Sequence, residues 1–276
     1  MTRFWKVQSA GNDFVLVLDS DIPFLLNRCE LATRLCDRRL SIGGDGLLIL
    51  KLDDEPALEM YNPDGSPDFC GNGLMSAAKF AQAVCGHELT QVWHGGRRLK
   101  VRSESDGRIE VEIMAATFDP ASIPMVDGSS EIFESVLPGV EGLRPISVVQ
   151  TGSAHAVVLV DALPSDEEFF RISPLVENHS WFPERVSLMW VQPISNDRVK
   201  MRIWERGAGE TLGCGTGSAA AAVIWMRKTN QGGLIKIENP GGLITCAATD
   251  WTSNLRLGSI PTLVYSGMVT LSRTGN

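Results

Sequence analysis

The sequence predicts an α+β protein made of two related halves, each a mostly antiparallel sheet wrapped around one central helix. The phrase Cys-Gly-Asn-Gly at residues 70–73 returns as Cys-Gly-Thr-Gly at 214–217, and small residues that favour helix follow each copy. The strand-like segments 7–17 and 149–159 also resemble each other. A third block, a strand just before each cysteine turn, recurs in the same order. Three blocks in register indicate an internal duplication.

The first half shows patterns of both strand and helix. A helix from Gly71 to Ala83 is compatible with its residue types, and Cys85-Gly86 would end it. Asp106-Gly107 is a hairpin signal between two strands of alternating polarity. The pattern predicts strands at 4–8, 14–19, 46–51, 57–61, 98–103 and 108–114, with a helix near 28–37.

The second half repeats this order. Its prolines at 120, 124, 138 and 145 are typical of a crossing segment, and Asn239-Pro240-Gly241-Gly242 is a turn. The pattern predicts strands at 147–150, 156–161, 187–192, 199–204, 233–238 and 242–247, a last strand near 264–272, and helices near 165–178 and after Cys214.

The length of 276 residues is typical of two domains. We place the N-terminal half at residues 1–116, joined by the last strand at 263–276, and the C-terminal half at 117–262. A formal net charge of -8 argues against a general nucleic-acid or anionic-membrane binder, since both need a basic surface.

No segment has the pattern of a signal peptide or a membrane span, so we expect a cytoplasmic protein that does not bind membranes. The six cysteines form no Cys-x-x-Cys pair and lack histidines at zinc-site spacing. We therefore expect free thiols and no metal. Four of them are expected to be small buried residues: Cys29, Cys36, Cys85 and Cys246.

Cys70 and Cys214 are predicted to lie at helix N-termini. The helix dipole and unpaired N–H groups there favour anions, so each thiol would be biased toward thiolate and a carboxylate could bind beside it. Two such cysteines across one ligand could move a proton through a planar carbon, one removing an α-proton and the other delivering one. A redox pair is the alternative, but thiol exchange normally uses neighbouring cysteines.

Several strings around these cysteines resemble the diaminopimelate epimerase family over nearly the whole chain. They are Ser9-Ala10-Gly11-Asn12-Asp13-Phe14, Gly43-Gly44-Asp45-Gly46, Tyr61-Asn62-Pro63-Asp64-Gly65-Ser66, the Cys70 turn, and Trp204-Glu205-Arg206-Gly207-Ala208-Gly209-Glu210-Thr211. The resemblance implies two pseudo-symmetric domains, an amino-acid substrate, no cofactor, a cytoplasmic role in lysine biosynthesis and α-carbon inversion without pyridoxal phosphate. A homodimer stays open.

The resemblance also implies roles for residues at matching positions. Cys70 and Cys214 match the catalytic acid/bases, and His155 and Glu205 match groups that polarise them. Arg206 suits a distal carboxylate because its fork can bind two oxygens. The other implied substrate-binding residues are Asn12, Asn62, Gly71, Asn72, Gly73, Gly215 and Thr216. Taken alone, Asn62 is equally suited to a turn before Pro63.

The sequence departs from the family at the distal end of the substrate. Ser153 and Ser187 stand where the family usually has asparagine, and serine lacks the amide group. Met75-Ser76 after the first turn resembles histidine racemases of opine-metallophore pathways. LL-diaminopimelate is our best single substrate, with another amino acid such as histidine as the alternative. A non-catalytic binding protein and an isomerase that uses carboxylates also stay open.

Overall fold

The computed structural model describes residues 1–23, 26–126 and 130–271. The chain forms two compact units, one built from Met1–Glu112 with Gly258–Asn276 and the other from Ile113–Leu257. The boundaries between the halves predicted from the sequence, at 116/117 and 262/263, lie four and five residues later in the chain than these.

The first unit is built on a mixed sheet. β1 pairs antiparallel with β2 and β17, β2 runs parallel to β3, and β4 is antiparallel to β3 and β5 but parallel to β6. An antiparallel ladder then continues through β6, β7 and β8. The strands are β1 (Thr2–Ser9), β2 (Asn12–Leu18), β3 (Gly46–Lys51), β4 (Ala57–Tyr61), β5 (Pro67–Asp68), β6 (Gln91–His94), β7 (Arg97–Ser103), β8 (Ile109–Ile113) and β17 (Thr262–Val269).

The second unit repeats this order of pairings. β9 is antiparallel to β10, β10 parallel to β11, and β12 antiparallel to β11 and β13 but parallel to β14, which pairs antiparallel with β15. The strands are β9 (Ile146–Gln150), β10 (Ala154–Leu159), β11 (Ser187–Ser195), β12 (Arg198–Glu205), β13 (Gly209–Thr211), β14 (Gly233–Asn239), β15 (Gly242–Ala248) and β16 (Leu255–Ser259). The matching topology confirms the predicted two-repeat fold class.

Each unit contains one helix that its sheet surrounds. α2 (Gly71–Cys85) contacts β1, β2, β3, β4 and β17, whereas α4 (Gly215–Thr229) contacts β9 to β12, β14 and β15. Most of each helix is buried, which explains its alanine-rich sequence: small side chains let the strands approach on several faces. α2 ends at Gly86 and α4 at Asn230, both in the left-handed conformation.

Two further helices cover the outside of the sheets. α1 (Arg28–Leu35) begins at Asn27, whose side chain accepts hydrogen bonds from two backbone N–H groups. α3 (Asp166–Glu177) begins at Ser165 and has three acidic residues in its first turn, as the helix dipole favours. Both helices pack on apolar clusters of their own unit, with Leu35 and Phe169 fully buried.

Some sequence expectations were wrong or incomplete. The short strands β5, β6, β13 and β16 were not predicted. β17 ends at Val269, and residues 272–276 of the predicted joining segment lie outside the described residues. Cys36 and Cys246 are buried as expected, but Cys29 is exposed on the outer face of α1 and Cys85 is only partly buried.

No helix in the described ranges is long and apolar enough to cross a membrane. The described part of the chain also holds no cluster of three histidine, cysteine or acidic side chains arranged for a metal ion.

Candidate active site

The two conspicuous cysteines have nearly the same backbone conformation. Cys70 precedes α2 with φ -139° and ψ 112°, and Cys214 precedes α4 with φ -135° and ψ 115°. In each case the sulfur accepts a hydrogen bond from the backbone N–H three residues later, from Gly73 or Gly217, at 3.3 Å. Each cysteine is therefore an N-cap, the position that the sequence predicts.

The glycine three residues after each cysteine packs closely against a neighbouring side chain. A Cβ on Gly73 would lie 2.8 Å from Leu48 Cδ2, and a Cβ on Gly217 would lie 2.7 Å from Met189 and 3.2 Å from Cys214 Sγ. A larger residue at either position would therefore have to displace the end of the Leu48 or Met189 side chain. Glycine thus brings the helix N-terminus against the strand while its N–H still reaches the sulfur.

Asn12 and Asp45 lie beside Cys70 in the first unit. Cys70 Sγ is 3.7 Å from Asn12 Oδ1, and Asn12 Nδ2 donates to Asp45 Oδ2 at 2.8 Å. The thiol is a donor to the amide oxygen in this arrangement. The predicted substrate residue Asn12 therefore contacts the sulfur directly.

His94, which the sequence analysis did not single out, fixes the backbone of Cys70. The Cys70 N–H donates to His94 Nε2 at 3.0 Å, so Nδ1 carries the ring hydrogen and donates to the Leu58 carbonyl at 2.9 Å. Phe69 stacks on the ring with centroids 4.8 Å apart. Burial lowers the pKa of His94, in agreement with a neutral ring.

Asn72, the second residue of α2, is 1% exposed. Neither its side-chain nitrogen nor its oxygen has a hydrogen-bond partner among the described residues. An unsatisfied buried amide costs on the order of 1–3 kcal/mol, so its presence beside Cys70 indicates a site that a ligand completes. Gly71 and Gly73 are buried on either side of it.

Asn62 belongs to its own turn. Its backbone N–H donates to the Ser66 carbonyl at 2.8 Å, and its Nδ2 donates to Ser66 Oγ and Asp68 Oδ2, both at 3.2 Å. Asn62 therefore has the turn role that the sequence analysis left open.

Cys214 is more buried than Cys70, at 7% exposed, and it has an acidic neighbour. Burial first, and then the charge of Glu205 and a hydrogen bond to its carboxylate, raise the pKa of Cys214 well above its ordinary value. Hydrogen bonds from Thr216 and Gly217 act in the opposite direction but are outweighed. The expected bias toward thiolate is wrong for Cys214, because desolvation and a nearby carboxylate exceed the helix dipole.

Glu205, at the end of β12, is itself held in place. Thr211 Oγ1 donates to Glu205 Oε1 at 2.6 Å across the hairpin of β12 and β13. Thr211, Glu205 and Cys214 thus form one hydrogen-bonded series. The sequence marked Glu205 but not Thr211, although both belong to the same specific string.

His155 lies on β10 and is 1% exposed. Its Nε2 is 3.0 Å from Ser153 Oγ, whose oxygen is also 3.4 Å from Thr216 Oγ1, while Nδ1 has no partner among the described residues. Burial, and secondarily the charge of Arg206, lower the pKa of His155 to about 3. The ring therefore stays neutral and offers one unsatisfied nitrogen.

Arg206 is exposed and has no carboxylate partner in the described part of the chain, unlike Arg185 and Arg202 of the same unit. Its Nη1 donates to the Glu184 carbonyl at 3.0 Å, and its backbone N–H donates to Ser187 Oγ at 3.0 Å. The guanidinium keeps donors for an external anion.

Glu177, a buried residue of α3 that the sequence analysis missed, anchors the segment that carries Glu205 and Arg206. Its carboxylate accepts from Trp204 Nε1 at 2.6 Å, the Gly207 N–H at 2.9 Å and Arg185 Nη1 at 3.1 Å. Glu205 and Arg206 therefore lie between Trp204 and Gly207, which are both bound by the Glu177 carboxylate.

Within each unit the structure gathers most of the predicted residues. In the first unit Cys70 contacts Asn12 and adjoins Gly71, Asn72 and Gly73 in the chain, and Asn62 binds within its own turn. In the second unit direct contacts or side-chain interactions join Cys214, Gly215, Thr216, Ser153, His155 and Glu205, and Ser187 binds the backbone of Arg206.

A family model described as diaminopimelate epimerase matches residues 4–118 and 147–263. The chain belongs to the diaminopimelate epimerase family. A diaminopimelate epimerase from Burkholderia thailandensis is 34% identical over 97% of this chain and 98% of its own length. One from Acaryochloris marina is 32% identical over 87% of this chain and 88% of its own length.

Solved structures confirm the fold. A phenazine biosynthesis protein of the PhzF family from Bacillus anthracis aligns with a TM-score of 0.70 at 16% identity, over 98% of this chain and 99% of that one. A hydroxyproline epimerase from Agrobacterium vitis aligns with a TM-score of 0.66 at 11% identity, over 96% and 91%. By family this chain is an isomerase of the pyridoxal-phosphate-independent epimerase and racemase type.

Proposed function

We propose that this protein inverts the α-carbon of an amino acid that carries a second carboxylate, with LL-diaminopimelate converted to the meso form. Cys70 and Cys214 would be the acid/bases. The observation that carries the proposal is the duplicated N-cap, which puts a thiol and the free N–H groups of a helix N-terminus side by side in both units.

The reaction begins with Cys214. Glu205 accepts the thiol proton, and the thiolate then removes the α-proton of the substrate, whose bonding electrons pass to the α-carbon and its carboxylate. Cys70 donates its S–H proton to the opposite face of that carbon. The turnover leaves Cys214 as thiol, Glu205 protonated and Cys70 as thiolate, and solvent returns the proton from Glu205 to Cys70. The mechanism requires both thiols to reach one α-carbon from opposite faces.

Stabilisation of the carbanion falls to the helix N-termini. The α-carboxylate gains negative charge as the α-proton leaves, and N–H groups fixed near Asn72 and Thr216 favour that charge without rearrangement. The unsatisfied amide of Asn72 supports the presence of a polar ligand there. We assign His155 a hydrogen bond from its ring to the bound substrate, since its Nδ1 lacks another partner.

Arg206 supports a substrate with a distal carboxylate. Its guanidinium has no internal carboxylate partner in the described ranges, and a bidentate pair with a ligand carboxylate is the strong interaction that arginine offers. Diaminopimelate has such a group and histidine does not. The full-length similarity to diaminopimelate epimerases agrees with this choice.

A racemase of another amino acid is the second candidate, because two serines replace the asparagines expected at the distal end. Ser153 Oγ is engaged with His155, and Ser187 Oγ accepts from the backbone of Arg206. Neither offers an amide to a distal ammonium group. A site without a hydrogen-bond partner for the distal ammonium group selects less strongly for substrates that carry that group.

Proton NMR in deuterium oxide tests the substrate. LL-diaminopimelate, histidine and a panel of other amino acids are incubated separately, and loss of the α-proton signal is followed. We expect loss with diaminopimelate. Loss only with another amino acid would overturn the substrate, and no loss with any would favour a binding protein that has kept the fold.

Arg206→Gln tests the distal carboxylate, with Arg171→Gln, an exposed arginine on α3, as the matched control. Losing a charge-assisted hydrogen bond costs about 1.5–3 kcal/mol, so kcat/KM for diaminopimelate should fall roughly 10- to 100-fold in the first variant only. An equal effect in both variants, or none, would contradict the assignment.

A further inference from the structure

A turn at residues 205–208 carries two of the side chains in the proposed reaction, Glu205 and Arg206. The Ala208 N–H donates to the Glu205 carbonyl at 3.1 Å and closes the turn, and Gly207 has a φ of 77°. A positive φ at the third residue is typical of a type II turn. The peptide group between Arg206 and Gly207 takes no part in the closing hydrogen bond, so its N–H needs a partner outside the turn.

That partner is the carboxylate of Glu177 on α3, a residue that is 6% exposed. Its Oε1 accepts from the Gly207 N–H at 2.9 Å, and its Oε2 accepts from Trp204 Nε1 at 2.6 Å. Hydrogen bonds to an ionised acceptor are shorter and stronger than those between neutral groups. The two oxygens of one buried carboxylate therefore hold the chain on both sides of Glu205 and Arg206.

Further contacts join the same segment to α3. The Trp204 ring packs edge-on against Phe169, which is fully buried, with the ring centroids 5.7 Å apart. Arg185 Nη1 donates to Glu177 Oε1 at 3.1 Å, and the Val186 N–H donates to the Glu177 backbone carbonyl at 3.3 Å. Glu177 thus connects the helix, the loop that follows it and the turn at 205–208.

The position of this turn matters because Glu205 acts on Cys214 from it. Second only to burial, the charge of Glu205 raises the pKa of the Cys214 thiol, and its carboxylate also forms a hydrogen bond with the thiol. Both interactions weaken if the turn moves. We propose that Glu177 is a positioning residue whose buried carboxylate holds the turn so that Glu205 stays against Cys214. In the proposed reaction, on which this role rests, Glu177 acts through the base.

Glu177→Gln tests this role, because an amide cannot accept hydrogen bonds on both sides. If its oxygen faces the Gly207 N–H, its NH2 group opposes the Trp204 indole N–H, and the reverse orientation opposes the Gly207 N–H. Either orientation displaces one side of the turn and draws Glu205 away from Cys214, which favours the thiolate. Alkylation of Cys214 by iodoacetamide at pH 7, followed on its peptide by mass spectrometry, should become about three- to tenfold faster.

Three comparisons separate positioning from a general loosening of the unit. Cys246, fully buried on β15 of the same unit, should react at the parent rate. In a Glu205→Gln background Glu177→Gln should have no further effect, since the carboxylate that transmits it is gone. Glu167→Gln, which alters an exposed carboxylate in the first turn of α3, should match the parent. A parent-like Cys214 rate in Glu177→Gln, an equal rise at Cys246, or a further rise without the Glu205 carboxylate would overturn the proposal.

The alkylation readout needs no substrate, so it is independent of the proposed function. A parent-like Cys214 rate in Glu177→Gln, with an active parent enzyme, would reject only the role of Glu177. The expected rise, with a parent protein that turns over no amino acid, would reject only the reaction. Circular dichroism establishes folding of each variant. If Glu177→Gln does not fold, Glu177→Asp is measured in the same way, because its shorter side chain cannot reach both sides of the turn.

Discussion

The two cysteine turns share a backbone but differ in what their sulfurs contact. Cys70 and Cys214 have φ and ψ values within 4° of each other, and both sulfurs accept from a glycine N–H at the same distance. The amide of Asn12 contacts Cys70, whereas the carboxylate of Glu205 interacts with Cys214. The backbone is repeated, whereas the partners of the two thiols differ.

In the proposed reaction, this difference gives the two thiols unequal tasks. An amide oxygen can hold a thiol proton but cannot take it away, whereas a carboxylate can do both. Glu205 can therefore act as a base for Cys214, whereas Asn12 cannot act as one for Cys70. Equal geometry at two helix N-termini does not make the sites chemically equal.

Removing either thiol should have the largest effect. We expect Cys70→Ala and Cys214→Ala each to lower kcat by about 10²–10⁴-fold, the usual contribution of a general acid or base. Polarimetry or chiral chromatography of the reaction measures it. Folded variants that invert the α-carbon at the parent rate would contradict the acid/base roles, and would favour chemistry that uses carboxylates.

Glu205→Gln makes the second site resemble the first, since an amide replaces the carboxylate. The pKa of Cys214 should fall, because the charge and the hydrogen bond that raise it are lost, although burial remains. We expect kcat to fall about 10²-fold for want of a base. Peptide-resolved alkylation gives the titration, and Glu210→Gln, which alters only the partner of Arg202, is the control.

An unchanged Cys214 titration in Glu205→Gln would show that burial alone sets its protonation. An unchanged kcat would show that Glu205 is not the base. Either outcome would remove the contrast between the two cysteine turns.

The buried His155 should have a smaller effect, on the stability of the fold rather than on the reaction. Its folded pKa of about 3 lies below the unfolded value near 6.5, so the unfolded chain binds more protons between those limits. Stability is therefore full above pH 6.5 and is lost as the pH falls toward 3, by about 2 kcal/mol between pH 7 and pH 5. Buried His94 acts in the same direction.

Urea unfolding at pH 7 and pH 5 measures this loss. The pH dependence should flatten by most of that amount in His155→Gln, while His87→Gln, at an exposed position, should match the parent. An equal loss of unfolding free energy between pH 7 and pH 5 in all three proteins would contradict the buried neutral state of His155.

Much of the fold and part of the site followed from the sequence, because the informative signals were local and repeated. The cysteine turns, their helices and the hairpin at Asp106-Gly107 each depend on neighbouring residues. His94 was missed because a single histidine before two glycines carries no local pattern, and its contact with Cys70 spans 24 residues. The two-residue strand β5 was too short to show alternation.

The prediction that Cys214 is biased toward thiolate was wrong for a related reason. The helix dipole can be inferred from a sequence, but burial and the approach of Glu205 arise only when β12 and α4 pack in one unit. Asp45 belongs to one of the strings that resemble the family, but its contact with Asn12 was not predicted, since the two residues are 33 positions apart in the chain.

The most direct test of two opposed thiols is the fate of the α-proton in deuterium oxide. LL-diaminopimelate is converted to a few per cent, and mass spectrometry measures deuterium in the product and in the recovered substrate. A thiol that has exchanged with solvent delivers deuterium, so the two-thiol mechanism predicts a fully deuterated product from a substrate that still carries protium. Protium retained in the product would mean that one group removes and returns the same proton, and would contradict the two-thiol mechanism.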